Sequence, residues 1–489
     1  MATGDEARTP SSAPAAPADV SWRAAVDRSC QYPVIVFLVS AVVWLLVGNA
    51  LALAASLKMT TPAFLGGAEW LTFGRVRPAH LNTMIYGWGS MAGIGIMLWL
   101  EARLCRVMLP LQLPLVVGCM LWNLGVAGGT ISILGGGSTS VEWLEFPYPW
   151  SFLFAGVFIV IMASSLMMFA GRRRGHVYVS QWYMFGAVLW FPFLYVLANA
   201  LIHGELSTGA VQATTNWWFA HNVLGLWFTP IGLAAIYYLL PKVLGRPIYS
   251  YYLSILGFWT LAIFYNWAGT HHLIGGPLPA WLITVGIVGS VMMFIPVTAV
   301  AINHHLTMRG FFHRLKVSPT LRFIVFGGMS YTVVSFQGSL QSLRFWNEVT
   351  HFTHYTIAHA HLGVYAFFTM TMFGAIYYVA PRLTGREWVS ARLIKVHFWG
   401  TALGMTVYWV GLTWGGVVQG FKLNNPDLPF LDVVAYTVPF LWSRTFAGVL
   451  MTIGHVAFAI LAWKMFTLKG AELAGPTLFT PRRRRGATA

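Results

Sequence analysis

Apolar runs recur along almost the whole of this chain, and they limit what it can fold into more than any other feature. A helix needs about 20 predominantly apolar residues to cross a bilayer. Twelve such runs can be marked in the 489 residues, at about 33–57, 81–100, 111–136, 149–170, 178–202, 216–240, 250–274, 279–303, 321–343, 355–380, 394–416 and 443–467. Charged residues make up 9% of the chain, where a soluble domain has about 25%. The expectation is an all-α polytopic membrane protein of about twelve transmembrane helices, forming one domain over 30–470 with no internal repeat. Residues 1–29, rich in Ala, Pro and Ser, read as a disordered cytoplasmic tail without the charged-then-apolar design of a cleaved signal. Residues 471–489 read as a basic cytoplasmic tail, whose run Arg482 to Arg485 suits an anionic leaflet.

A net charge of +16 would suit nucleic-acid binding if it were gathered on a soluble surface. It is not. With the amino terminus inside, the loops on the cytoplasmic side hold most of the basic residues, among them Arg172, Arg173, Arg174, Arg309, Arg314 and Lys316. The opposite loops hold few, such as Lys58, Arg75, Arg77 and Arg444. This is the positive-inside bias, so the charge records topology. Cys30, Cys105 and Cys119 form no CxxC pair and suggest neither a disulfide framework nor a thiolate site.

Fifteen histidines are present, and of those within or at the ends of predicted helices six stand at one depth: His80, His221, His271, His272, His359 and His361. By the alternation of helix direction, all six lie in the outer half of the bilayer. Ionisable groups in a membrane interior are costly and usually functional. A single one reads most simply as a hydrogen-bonded core histidine, as His455 does, but six at one depth do not. Residues i and i+2 point about 200° apart on a helix, so His359 and His361 address opposite sides and could each hold a different flat cofactor. His271 and His272 are adjacent and can join a third imidazole around copper, zinc or non-haem iron. Haem iron takes one axial histidine where it binds a gas and two where it passes electrons. The six then divide without remainder: His80 with His361, His359 alone, and His221 with His271 and His272.

The stretches Gly-Arg-Val-Arg-Pro-Ala-His80, Trp-Trp-Phe-Ala-His221-Asn, Pro-Ile-Tyr-Ser-Tyr-Tyr-Leu-Ser254, Tyr265-Asn-Trp-Ala-Gly-Thr-His271-His272 and Ile-Ala-His359-Ala-His361 resemble the haem-copper oxidase superfamily. They are most similar to the catalytic subunit of cbb3-type cytochrome c oxidases, over nearly all of 30–470. The resemblance implies a low-spin haem b between His80 and His361, a high-spin haem b3 on His359, and the copper CuB on His221, His271 and His272. It implies that Tyr265 is the active-site tyrosine, cross-linked to a copper-ligating histidine; on a continuous helix Tyr265 and His272 share a face, the phenol about 10 Å deeper. It also implies a proton pathway of Thr229, Tyr237, Ser254, Tyr331 and Ser335, and reduction of O2 to water with electrons from soluble cytochrome c through c-type cytochrome subunits. No CxxCH is present for a c-type haem on this chain. The setting would be a bacterial cytoplasmic membrane, with both termini cytoplasmic. Glu142 and Glu145 are similar to an outer acidic segment that contributes to a calcium site or lies near the haem propionates.

Two departures stand out. Gln337 occupies a position where the family usually has glutamate, which puts a proton-loading role there, and pumping with it, in question; no Asp or Glu lies in any predicted helix core. The nearest alternative is a nitric oxide reductase of the same superfamily, which pairs haem b3 with non-haem iron, adds a glutamate ligand and lacks the tyrosine. A twelve-helix secondary transporter is the alternative of a different class, but transporters place ionisable residues at the midplane.

Overall fold

The computed structural model describes residues 17–472; the arginine run 482–485 lies outside them. Twelve long helical segments follow in chain order: α1 Pro17–Thr60, α2 Phe73–Cys105, α3 Gln112–Leu134, α4 Trp150–Ala170, α5 Val179–His203, α6 Gly209–Leu244, α7 Tyr251–Tyr265, α8 Ala280–Met308, α9 Pro319–Gln341, α10 His354–Thr384, α11 Ala391–Leu423 and α12 Phe430–Phe466. Ten are long and apolar enough to cross a membrane. Among the described residues there is no strand, only the isolated bridge Arg386 to Glu472. Helices dominate because a backbone in hydrocarbon must satisfy its own N–H and C=O groups.

Burial separates the helices into an inner and an outer set. The most apolar windows of α2, α6 and α10 are 94%, 89% and 89% buried within the protein, against 39–56% for the other membrane-length helices. The inner three share a local irregularity: a π-helical stretch at Thr83–Gly89, Leu224–Phe228 and Leu362–Thr369. Such insertions are frequent at functional sites. Here each begins within three residues of His80, His221 or His361. The stretches are stitched together by tryptophans, Trp88 Nε1 donating to Thr369 Oγ1 at 2.9 Å and Trp227 Nε1 to Ser90 Oγ at 3.3 Å.

Several boundaries differ from the sequence expectation. α1 starts before residue 30, so residues 21–29 are helical, with Asp27 paired to Arg103. α12 begins at Phe430, so Arg444, counted with the outer loops at the edge of the last run, lies well inside a helix. α2 runs on to Cys105, so Glu101 is a helix-core acid after all, fully buried with Ser165 donating to it at 2.5 Å. Ending the second run at Leu100 had hidden it. An internal repeat is also present: Ala235-Ile236-Tyr237-Tyr238, Pro241 and Gly245-Arg246 return 140 positions later as Ala375-Ile376-Tyr377-Tyr378, Pro381 and Gly385-Arg386. Gly245 and Gly385 both end their helices at positive φ, +70° and +64°, a conformation that favours glycine. Ser250 and Ser390 then cap the next helices by accepting from Leu253 and Leu393.

Candidate metal centre

His80 and His361 face one another across a cavity of about 840 Å³. Their rings are nearly parallel, 11° apart, with centroids at 6.4 Å. Two imidazoles on opposite sides of one ion, at metal–nitrogen bonds of about 2.0–2.1 Å, would have centroids about 6 Å apart. The nitrogens are already assigned. His80 Nδ1 lies 2.9 Å from the Gly48 carbonyl and His361 Nδ1 2.9 Å from the Ile357 carbonyl. A carbonyl only accepts, so each Nδ1 carries the proton and each Nε2 keeps a lone pair for the cavity. The donor set therefore fits a six-coordinate haem iron. Arg444 and Tyr408 also line this cavity, and the sequence reading had missed both.

His359 leaves the opposite side of α10, as the i, i+2 spacing requires, into a second cavity of about 1250 Å³. It shares this space with His221, His271, His272 and Tyr265. His359 Nδ1 is buried without a hydrogen-bond partner, and Gly338 lies so close that an added Cβ would sit 2.8 Å from the ring. The remaining three imidazoles bring one nitrogen each to within 4.8 Å of one another, so a small inward movement would reach the about 2.0–2.1 Å bonds of a common ion. His271 is held by Ser290, whose Oγ is 2.6 Å from Nδ1, the kind of outer contact that fixes a ligand's tautomer. Trp217 stacks on His272 at 4.2 Å. A three-imidazole set fits copper, zinc or non-haem iron, and the single imidazole opposite fits a five-coordinate haem.

The seventh helix departs from the expected geometry. α7 stops at Tyr265, and the chain continues as a 3-10 turn over Ala268–Leu273, so Tyr265 and His272 do not share a continuous helical face. Tyr265 instead stacks on His221, with centroids 4.4 Å apart and planes at 29°. Gly225 makes this contact accessible, since a Cβ there would lie 1.8 Å from the tyrosine ring.

Of the expected proton-pathway residues, Thr229, Tyr331 and Ser335 line the second cavity, while Tyr237 and Ser254 lie on α6 and α7 away from it. Asn303, which the sequence reading had not singled out, donates to Ser254 Oγ at 2.9 Å. The hydroxyls of Tyr237 and Tyr331 are buried without a well-formed hydrogen bond, Tyr237 facing Asn303 and Ser254 and Tyr331 facing Ser335. The ring of tryptophan bonds between π stretches breaks at α10: by the repeat, the counterpart of Trp227 is Phe367, which has no N–H to give, and Thr229 faces the second cavity.

Glu142 and Glu145 are not a free acidic pair. Arg77 is paired with Glu142 and lies 3.5 Å from Glu145, to which Asn82 donates at 2.7 Å. Burial lifts the Glu145 carboxyl to about 7, against the pull of Asn82 and Arg77. Calcium takes six to eight oxygens; here one Glu145 oxygen accepts from Asn82 and the other is buried without a hydrogen-bond partner. Gln337 is hydrogen-bonded to Trp409 Nε1 at 3.1 Å and to Thr413 at 3.4 Å.

These features meet in comparison with known proteins. The family described as Cytochrome C and Quinol oxidase polypeptide I matches residues 32–450, and the chain belongs to it. Among its relatives, the cbb3-type cytochrome c oxidase subunit CcoN1 of Stutzerimonas stutzeri is 30% identical over 90% of this chain and 95% of that protein. Cytochrome c oxidase subunit 1 of Rhodobacter capsulatus is 32% identical over 86% of this chain and 82% of its own length. The particular kind is thus the cbb3-type oxidase subunit. The same fold is seen in a haem-copper terminal oxidase dimer, at a TM-score of 0.71 and 17% identity, over 94% of this chain and 86% of that one.

Proposed function

We propose that this chain is the catalytic subunit of a terminal oxidase that reduces O2 to water, fed by c-type cytochromes. In this reading, His80 and His361 hold a low-spin haem b, His359 a high-spin haem b3, and His221, His271 and His272 a copper ion. When bound, the metals supply the redox chemistry and the open coordination positions for the gas. The chain's own residues do the rest. Carbonyl bonds to His80 and His361 fix which ring nitrogen is offered. Ser290 orients His271. The apolar walls of the second cavity, such as Phe368 and Val334, limit water at the gas-binding space.

The observation that carries the proposal is Tyr265 stacked on His221 at the edge of the triad. Splitting O–O without releasing a partly reduced product takes four electrons in quick succession, and a phenol beside the metals can give one electron and one proton. The same observation favours O2 over NO. Among the described residues, the group able to hold a metal contains three histidines and no carboxylate, and Glu142 at the wall of the same cavity is paired with Arg77, where a nitric oxide reductase would add a glutamate ligand. Protons would enter from the basic, inner face along Tyr237, Ser254, Tyr331 and Thr229. Gln337 cannot ionise, so any proton stored for pumping is held elsewhere.

The test is Tyr265→Phe in the purified complex. O2 turnover should fall by about a hundredfold or more, with both haem spectra unchanged. Full turnover in that variant would overturn the role given to the phenol.

A further inference from the structure

The two copies of the internal repeat end differently, and the difference lies on the helix assigned to proton delivery. In the second copy Tyr377 is closed off: its hydroxyl lies 2.8 Å from His397 Nδ1. His397 stands seven residues after the cap Ser390, in His397-Phe398-Trp399. In the first copy the equivalent sequence is Gly257-Phe258-Trp259, seven residues after Ser250. With glycine there, no imidazole from the following helix reaches Tyr237, and its buried hydroxyl faces Asn303 and Ser254 without closing a well-formed hydrogen bond.

A different histidine occupies that region. His304, on α8, stacks obliquely on Tyr237 with centroids 5.0 Å apart. It is only 6% exposed, and neither of its ring nitrogens has a hydrogen-bond partner. A buried imidazole with both nitrogens unsatisfied costs free energy that a purely packed residue would not keep. His304 also lines a cavity of about 320 Å³ between α6, α8 and α9, whose outer wall includes the exposed His305 and Phe312 near the basic face. The titratable groups beside His304 are Tyr237 on α6, which lies behind the cavity wall, and His305 on its own helix.

We propose that His304 is the proton-collecting residue at the inner mouth of the pathway, passing protons from this cavity to Tyr237. This rests on the pathway reading above. The imidazole takes a proton on its bare nitrogen from the cavity side and releases the other nitrogen's proton toward the Tyr237 hydroxyl. The ring leaves the step neutral, in its other tautomer, and no charge is stored. The repeat then has a functional sense: one copy is sealed by His397, and the other is left open so that His304 can exchange protons with the inside.

The experiment uses the intact complex, reduced and mixed with O2, with proton uptake followed by a pH dye. His304→Ala should slow uptake about tenfold or more, leave both haem spectra and CO binding unchanged, and recover in part with added imidazole but not with added salt. Tyr237→Phe, measured in parallel, should slow it as well. A slow Tyr237→Phe beside an unaffected His304→Ala overturns this inference and leaves the pathway standing. If both variants are unaffected, the pathway reading fails with it. A slow His304→Ala that imidazole does not rescue assigns His304 a structural role and also overturns the inference.

Discussion

Replacing Gly225 with alanine tests whether the tyrosine must sit where it does. A Cβ at this position would lie 1.8, 2.0 and 2.1 Å from Cε1, Cδ1 and Cζ of Tyr265. Interiors pack at crystal-like density, and an ordinary contact begins at 3.4 Å, so the ring or the π stretch must retreat by about 1.6 Å. The ring is already stacked on His221 at 4.4 Å, so its retreat also disturbs that ligand. Overpacking of this kind costs about 1–3 kcal/mol, an amount a protein of this size survives. A misplacement of about 1 Å at reacting groups can cost about a hundredfold in rate. Gly225→Ala should therefore assemble with both haems and lose about a hundredfold in O2 turnover, measured polarographically at saturating donor, with the haem spectra as the folding control. Near-normal turnover with both haems in place would refute the argument that Tyr265 works from this position.

Two further outcomes follow from the same geometry. His359→Ala should abolish the high-spin, CO-binding haem signal while the low-spin signal persists, because His361 leaves α10 on the other side; loss of both signals or of neither contradicts the division of the pair. Glu145 gives a pH dependence. Its folded pKa of about 7 exceeds the ordinary 4.5, so the folded state binds the proton more tightly than the unfolded one. The stabilisation, of order 3 kcal/mol, is fully present below about pH 4.5 and is lost as the pH rises through about 7. Thermal inactivation should thus become easier between pH 5 and 8, and Glu145→Gln should flatten that slope; an unchanged slope would count against it.

The six histidines were legible because their signal is local: imidazoles in otherwise apolar runs, with spacings that decide which can share an ion. The i, i+2 argument for His359 and His361 needed only helical periodicity, and α10 supplies it. Tyr265 was placed on the right helix and beside the triad, but the face it shares with His272 was drawn on a regular helix extended through Ala268–Leu273, where the chain tightens into a 3-10 turn and Tyr265 meets His221. The π stretches were not legible. They depend on bonds between helices, such as Trp88 to Thr369, which no single window contains. Glu101 was misassigned because the second run was cut where polarity rose, although a buried partner lets a helix carry a charged residue onward; Arg444 was counted with the outer loops because it stands at the edge of the last run, whereas that helix begins at Phe430. The repeat that pairs Tyr237 with Tyr377 was readable and was passed over, because its identity is confined to helix ends.

The account rests on one low-spin haem, one high-spin haem and one copper bound by this chain. A metal count on the purified complex, corrected for haems on partner subunits and joined to O2 and NO consumption, tests that directly. Two b haems and one copper per chain with rapid O2 uptake are the predicted result. Two b haems with an extra non-haem iron, no copper and NO uptake would contradict it, and would make the stacked Tyr265 a packing residue.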